Sequence, residues 1–162
     1  MAQNWFACIA QHYGPWVTAG AILISAGIAI WVMIYNAKIA RRRATIDLVL
    51  HMRQNTPYLD ARKKLVKLQD EGQQLAKYAD KDLAESEQSL CIIELLNFSE
   101  FVAVGIREKA FDEKVYKRLS RSRYIKDWET LHGYVTELRR ARNLSVLFNE
   151  FQSLAEQWKA QK

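Results

Sequence analysis

Between Trp16 and Tyr35 the chain carries 20 consecutive residues without a charge, WVTAGAILISAGIAIWVMIY. At about 1.5 Å rise per residue such a run makes a helix of about 30 Å, the thickness of a bilayer's hydrocarbon core. A core helix of a small soluble protein keeps a polar face toward water, and this run has none. Its hydroxyls, Thr18 and Ser25, can bond back to their own helix. The run therefore predicts a transmembrane helix.

The order of charges separates an anchor from a cleaved secretion signal. A signal places Lys or Arg before the apolar run and a small-residue cleavage site after it. Residues 1–15 contain neither Lys nor Arg, and the cations come after the run as Lys38, Arg41, Arg42 and Arg43. A retained anchor is expected, despite the small residues inside the run. Flanking cations stay cytoplasmic and meet lipid headgroups, so the N-terminus is expected outside and the rest of the chain inside. Trp5, Phe6, Tyr13 and Trp16 suit the outer interface and Tyr35 the inner one. Trp31 lies about a turn deeper, which points to a tilted helix or a protein contact. The expected division is a short extracytoplasmic segment over 1–15, the span and its exit over 16–40, and a cytoplasmic helical domain over 41–162.

Composition bounds that domain. With 49% hydrophobic and 26% charged residues the chain is neither disordered nor fibrous, and the part beyond the anchor is long enough for its own core. The net charge of +6 is not a uniform field. Residues 47–113 hold nine basic and 13 acidic residues, whereas residues 114–142 hold nine basic and three acidic ones. The two cysteines, Cys8 and Cys91, fall on opposite sides of the membrane in this topology and cannot pair within one chain. Cys91 sits in an apolar stretch and reads as an inert core residue.

Beyond Arg43 helical periodicity is everywhere and strand alternation is absent. The anchor helix can run on through RRRATIDLVLHMRQN to about Gln54. Thr56 and Pro57 read as cap and first residue of a second helix, whose stripe is Tyr58, Ala61, Leu65 and Leu68, continued by Leu75 and Ala79 after a weak point at Gly72. The segment ESEQSLCIIELLNFSEFVAVGI is apolar around most of its circumference, with Leu90, Ile93, Phe98, Phe101, Val102 and Val104, and is expected to be central. Asp112 is a plausible cap for the next helix, Ser120 and Ser122 are read as interrupting it, and a stripe of Tyr124, Trp128, Leu131, Val135 and Leu138 comes next. Asn143 closes that stretch, and a last helix lines up Leu144, Leu147, Phe151, Leu154 and Trp158 as an antiparallel partner. The fold class is all-α: one N-terminal transmembrane helix and then a cytoplasmic antiparallel helical bundle.

Chemistry-bearing patterns are sparse. Glu129 and His132 form E-x-x-H, half of the constellation that carboxylate-bridged metal bundles use, but position 48, which would complete a second motif with His51, is Leu. No metal or cofactor site is expected. Glu94, Asn97 and Glu100 punctuate the apolar central helix, and buried polar groups there need Arg or Lys partners. A catalytic carboxylate near Glu94 is the enzymatic alternative. The basic run YKRLSRSRYIK holds Lys117, Arg118, Arg121, Arg123 and Lys126, which read as a solvated turn, a contact for anionic lipid, or more remotely a nucleic-acid contact. Within the span, Ala21, Ser25 and Ala29 recur every four residues, with Gly20 and Gly27 a heptad apart on an adjoining side. Such small residues let helix backbones approach in lipid.

The basic exit RRRATIDLVLHMR, the helix LLNFSEFVAVGIREKAFDE and the Trp-containing helix after it resemble an uncharacterised family of small bacterial proteins with one N-terminal span and a helical cytoplasmic domain. The resemblance covers most of residues 41–160. It implies a bacterial inner-membrane setting and no catalytic assignment. The expected function is a non-enzymatic, membrane-anchored interaction module, a subunit or scaffold whose partners are membrane lipids and a second copy or another membrane subunit. The alternatives are a membrane effector of phage-exclusion or toxin type, and an enzyme.

Overall fold

The absence of Gly or Pro between Tyr35 and Gln54 lets the apolar helix continue: α1 spans Ala2–Gln54. The computed structural model describes residues 2–72 and 74–161, with side chains from Trp16 onward. The interface roles expected of Trp5, Phe6 and Tyr13, and the side chain of Cys8, lie outside that range. Four further helices follow among the described residues: α2 (Thr56–Asp70), α3 (Glu87–Arg107), α4 (Glu113–Arg142) and α5 (Asn149–Ala160). Two 3-10 turns, Leu75–Ala79 and Lys81–Leu83, join α2 to α3. The expected all-α class is what forms. The chain divides into two compact units, Met1–Ala40 and Arg41–Lys162.

In the first unit the described side chains from Trp16 to Lys38 are exposed, Gly20 being half-buried. Leu23 is 73% exposed and Trp31 64%, on a helix of length and composition compatible with a membrane span or a signal sequence. Exposed apolar surface on this scale marks a membrane or protein contact.

The second unit closes a core of its own. Asn55, not Thr56, caps α2: its side chain accepts the Tyr58 N–H, and Pro57 falls in the first turn, where it has no N–H to lose. Tyr58, Ala61, Leu65 and Leu68 are buried as expected. Gly72 takes φ +66°, ending the helix, and the chain turns so that Leu75, Tyr78 and Ala79 reach the core from a 3-10 turn. Asp112 caps α4 through the Val115 N–H, and Asn143 ends it in the left-handed region. The expected break at Ser120 and Ser122 does not occur: α4 runs through both, with Ser120 buried inside the domain. Serine costs a helix interior only about half a kcal/mol, far less than the flanking aromatic packing returns.

α4 and α5 lie antiparallel. Glu113, at the start of α4, accepts the Trp158 Nε1–H at 2.8 Å, while Arg139, at its end, donates to the Leu147 carbonyl and the Gln152 side chain, both at 2.9 Å. Between these ends Tyr116, Tyr124, Trp128, Phe151 and Trp158 form an aromatic cluster with centroids 4.8–6.2 Å apart. The buried Tyr124 hydroxyl donates to the Ser99 carbonyl at 2.8 Å, so aromatic area is gained without orphaning its polar tip. α5 starts only at Asn149, and Leu144 stays 48% exposed instead of joining its stripe.

The centrality expected of α3 holds for one side only. Ile92, Leu95, Leu96 and Val102 are buried against α2, α4 and α5, whereas Leu90 and Phe101 are more than half exposed and Val104 is 41% exposed.

Candidate functional site

The basic residues after the apolar helix have distinct environments. Lys38 is exposed, as is Arg43, and Arg41 is half-buried. Arg42 donates from Nε to the Asp112 carboxylate at 3.2 Å. One helical turn on, the Thr45 side chain is fully buried; its hydroxyl donates to the Arg41 carbonyl and accepts the Asp112 N–H, each at 2.8 Å. Partial burial works against the Asp112 charge, but the Val115 N–H and Arg42 outweigh it and hold the carboxyl below its ordinary range. A cation cluster read as headgroup contact thus also contributes a structural ion pair through Arg42.

On the apolar helix the small residues remain open to contact. Ala21, Ser25 and Ala29 are exposed, and a methyl group added at Gly20 or Gly27 would meet nothing within 4 Å. Ser25 donates to the Ala21 carbonyl at 2.8 Å, which satisfies the hydroxyl within its own helix. Trp31 stacks on Tyr35 with centroids 5.7 Å apart, a same-face pair four residues on.

The five cations of YKRLSRSRYIK all sit on α4, not on a turn, and the helix distributes them. Arg121 donates to the Trp158 carbonyl at 2.7 Å and to that of Gln161, and Lys117 bonds the Gln161 side chain. Arg121 therefore caps the carbonyl end of α5, while Lys117 holds the Gln161 side chain beside it. Arg118 and Lys126 are exposed, without a carboxylate partner among the described residues. Arg123 lines a crevice with Arg53 and Arg62.

Neither Glu94 nor Asn97 is buried, so the Arg or Lys partners expected for them are not required. Of the three polar residues on α3 it is Glu100 that acts structurally, accepting the Glu150 and Phe151 N–H groups at 3.2 and 2.7 Å. Phe148 precedes α5 in the left-handed region and offers no side-chain cap; Glu100 supplies one from another helix. Glu129 pairs with Lys159 at 2.8 Å, and His132 Nδ1 contacts the Glu129 carbonyl at 3.0 Å. Among the described residues no three His, Cys, Asp or Glu side chains gather as metal ligands. Cys91 is half-buried, and burial pushes its thiol up, away from the reactive thiolate.

The sequence reading missed the Arg62–Asp127 pair, which joins α2 to α4. Two parallel bonds of 2.8 and 2.7 Å form the fork that guanidinium and carboxylate share. Burial opposes the Arg62 charge, but Asp127 and Tyr58 outweigh it and strengthen its proton affinity. The two residues are 65 positions apart, and nothing in the local pattern of either names the other.

No curated protein and no solved structure matches the chain. Residues 19–158 match the family described as domain of unknown function DUF4760, and the chain belongs to that family.

Proposed function

We propose that the chain is a single-span protein of the bacterial inner membrane, with residues 1–15 outside and the helical domain in the cytoplasm. It acts there as a non-enzymatic interaction module, binding a second copy or another membrane subunit. The observation that carries this reading is the contrast within one chain. From Trp16 to Tyr35 the apolar side chains are exposed without interruption, while the helices beyond Arg41 bury one face each in a core of their own and leave only scattered apolar residues outside. An uninterrupted run of exposed apolar side chains, Leu23 and Trp31 among them, is the surface that a bilayer would cover. The orientation rests on Lys38, Arg41, Arg42 and Arg43 after the run, against no Lys or Arg in residues 1–15.

Self-association is assigned to the face of Ala21, Ser25 and Ala29, adjoined by Gly20 and Gly27, whose small side chains favour close packing in lipid. Cys8, on the oxidising side in this topology, reports on it. Two spans paired in parallel form a disulfide-linked dimer on a non-reducing gel, which Cys8→Ser abolishes and Ser25→Ile weakens. Undiminished crosslinking in Ser25→Ile at matched expression would refute this face as the contact. Toxicity on expression that requires an intact span would favour the effector reading. The enzymatic reading around Glu94 draws no support from its exposed setting on α3.

A further inference from the structure

Three arginines from three helices converge on one crevice of the second unit. Its lining is Val49, Met52 and Arg53 from the end of α1, Tyr58, Leu59 and Arg62 from α2, and Ser120 and Arg123 from α4. Asp127 lies four residues after Arg123, one helical turn on, where it would ordinarily neutralise that arginine. Both of its oxygens are instead taken by Arg62, at 2.7 and 2.8 Å. Arg53 and Arg123 have no carboxylate within ion-pair distance among the described residues. Arg53 and Arg123, both exposed, therefore line the crevice as uncompensated cations beside an Arg–Asp pair of zero net charge. Its walls combine this charge with the apolar side chains of Val49, Met52 and Leu59.

Size narrows the ligand. The cavity volume is about 40 Å³, and on that measure one water needs about 10–15 Å³. A single tetrahedral oxyanion is of that scale. Guanidinium forks match phosphate oxygens in geometry as well as charge. We propose that the crevice between Arg53 and Arg123 binds a single phosphate group, either as free phosphate or as a phosphomonoester lipid headgroup. The proposal does not depend on the non-enzymatic reading or on the orientation of the span.

The test uses the full chain in nanodiscs of phosphatidylcholine and reads the thermal unfolding midpoint at constant ionic strength. One arm adds inorganic phosphate in place of chloride. The other replaces part of the lipid with phosphatidic acid. The midpoint rises in at least one arm, and the rise is lost in Arg53→Gln/Arg123→Gln but kept in Arg118→Gln/Lys126→Gln, which removes the same charge outside the crevice. A rise in the first arm identifies a soluble phosphate ligand, and one in the second arm alone a lipid headgroup. No rise in either arm, or equal loss in the two double variants, overturns the crevice as a phosphate site.

Discussion

The Thr45 hydroxyl accepts the backbone N–H of Asp112 at 2.8 Å, and the Asp112 carboxylate in turn accepts from Arg42 at 3.2 Å. These bonds fasten the last stretch of α1 to the start of α4 at a buried point. Thr45→Val keeps the shape and removes the acceptor, leaving the Asp112 N–H unpaired. That loss costs about 1–3 kcal/mol. It is measured as a lower unfolding midpoint of the full chain in detergent, and an unchanged midpoint would show that this bond carries no weight.

Asp112 gives the protein a pH signature. Its carboxyl is depressed below the ordinary 3.8 because Val115 and Arg42 favour the charged form over the opposing effect of burial. A depressed acid contributes stability that is fully present above its unfolded value and is lost as pH falls through the lower folded one. Stability should therefore decline below about pH 4, and Asp112→Asn should flatten that part of the profile while leaving the shape of the cap in place. An equally steep acid limb in Asp112→Asn would assign the decline to other carboxylates.

The Arg62–Asp127 fork spans α2 and α4 with side chains 24% and 15% exposed, between the surface and buried cases. Removing one partner alone should cost about 2 kcal/mol, more than a surface pair and less than a fully buried one. Arg62→Met with Asp127→Leu should cost less than the sum of the single changes, because neither charge is left alone. Strict additivity in that double-mutant cycle would mean that the two side chains do not interact.

Gly105 is required by contact and not by backbone angle. A Cβ at this position would lie 2.3 Å from the Phe111 ring, which packs edge-on to Phe101 at 5.7 Å. Gly105→Ala should destabilise by about 1–3 kcal/mol through overpacking, and Phe111→Leu should relieve part of that loss. Equal stability of Gly105→Ala and the wild type would place the ring elsewhere.

How much of this was readable depends on the range of the interactions. The stripe from Tyr58 to Leu68, the Asp112 cap and the Asn143 stop are local, set by helical spacing or by the chemistry of one end, and the sequence carries them. The error at Ser120 came from weighing propensity without the neighbours that bury it. α3 looked central because apolar residues cover its circumference; only packing decides that Leu90 and Phe101 stay outside while Ile92 and Leu96 do not. The crevice of Arg53, Arg62 and Arg123 was not legible at all. Arg123 stood in a local basic run, and its two companions come from helices distant in sequence, brought together only by the fold.

The central claim is that Trp16–Tyr35 anchors the chain with its helical domain inside. Impermeant thiol labelling of intact spheroplasts tests it most directly, using two forms of the full chain. One keeps Cys8 with Cys91→Ser; the other carries Cys8→Ser and Cys91→Ser with a single new cysteine at the exposed Ser153. The account predicts labelling at residue 8, and labelling at residue 153 only after the membrane is permeabilised. The reverse pattern would contradict the orientation, and recovery of the chain in the soluble fraction would contradict the anchor itself.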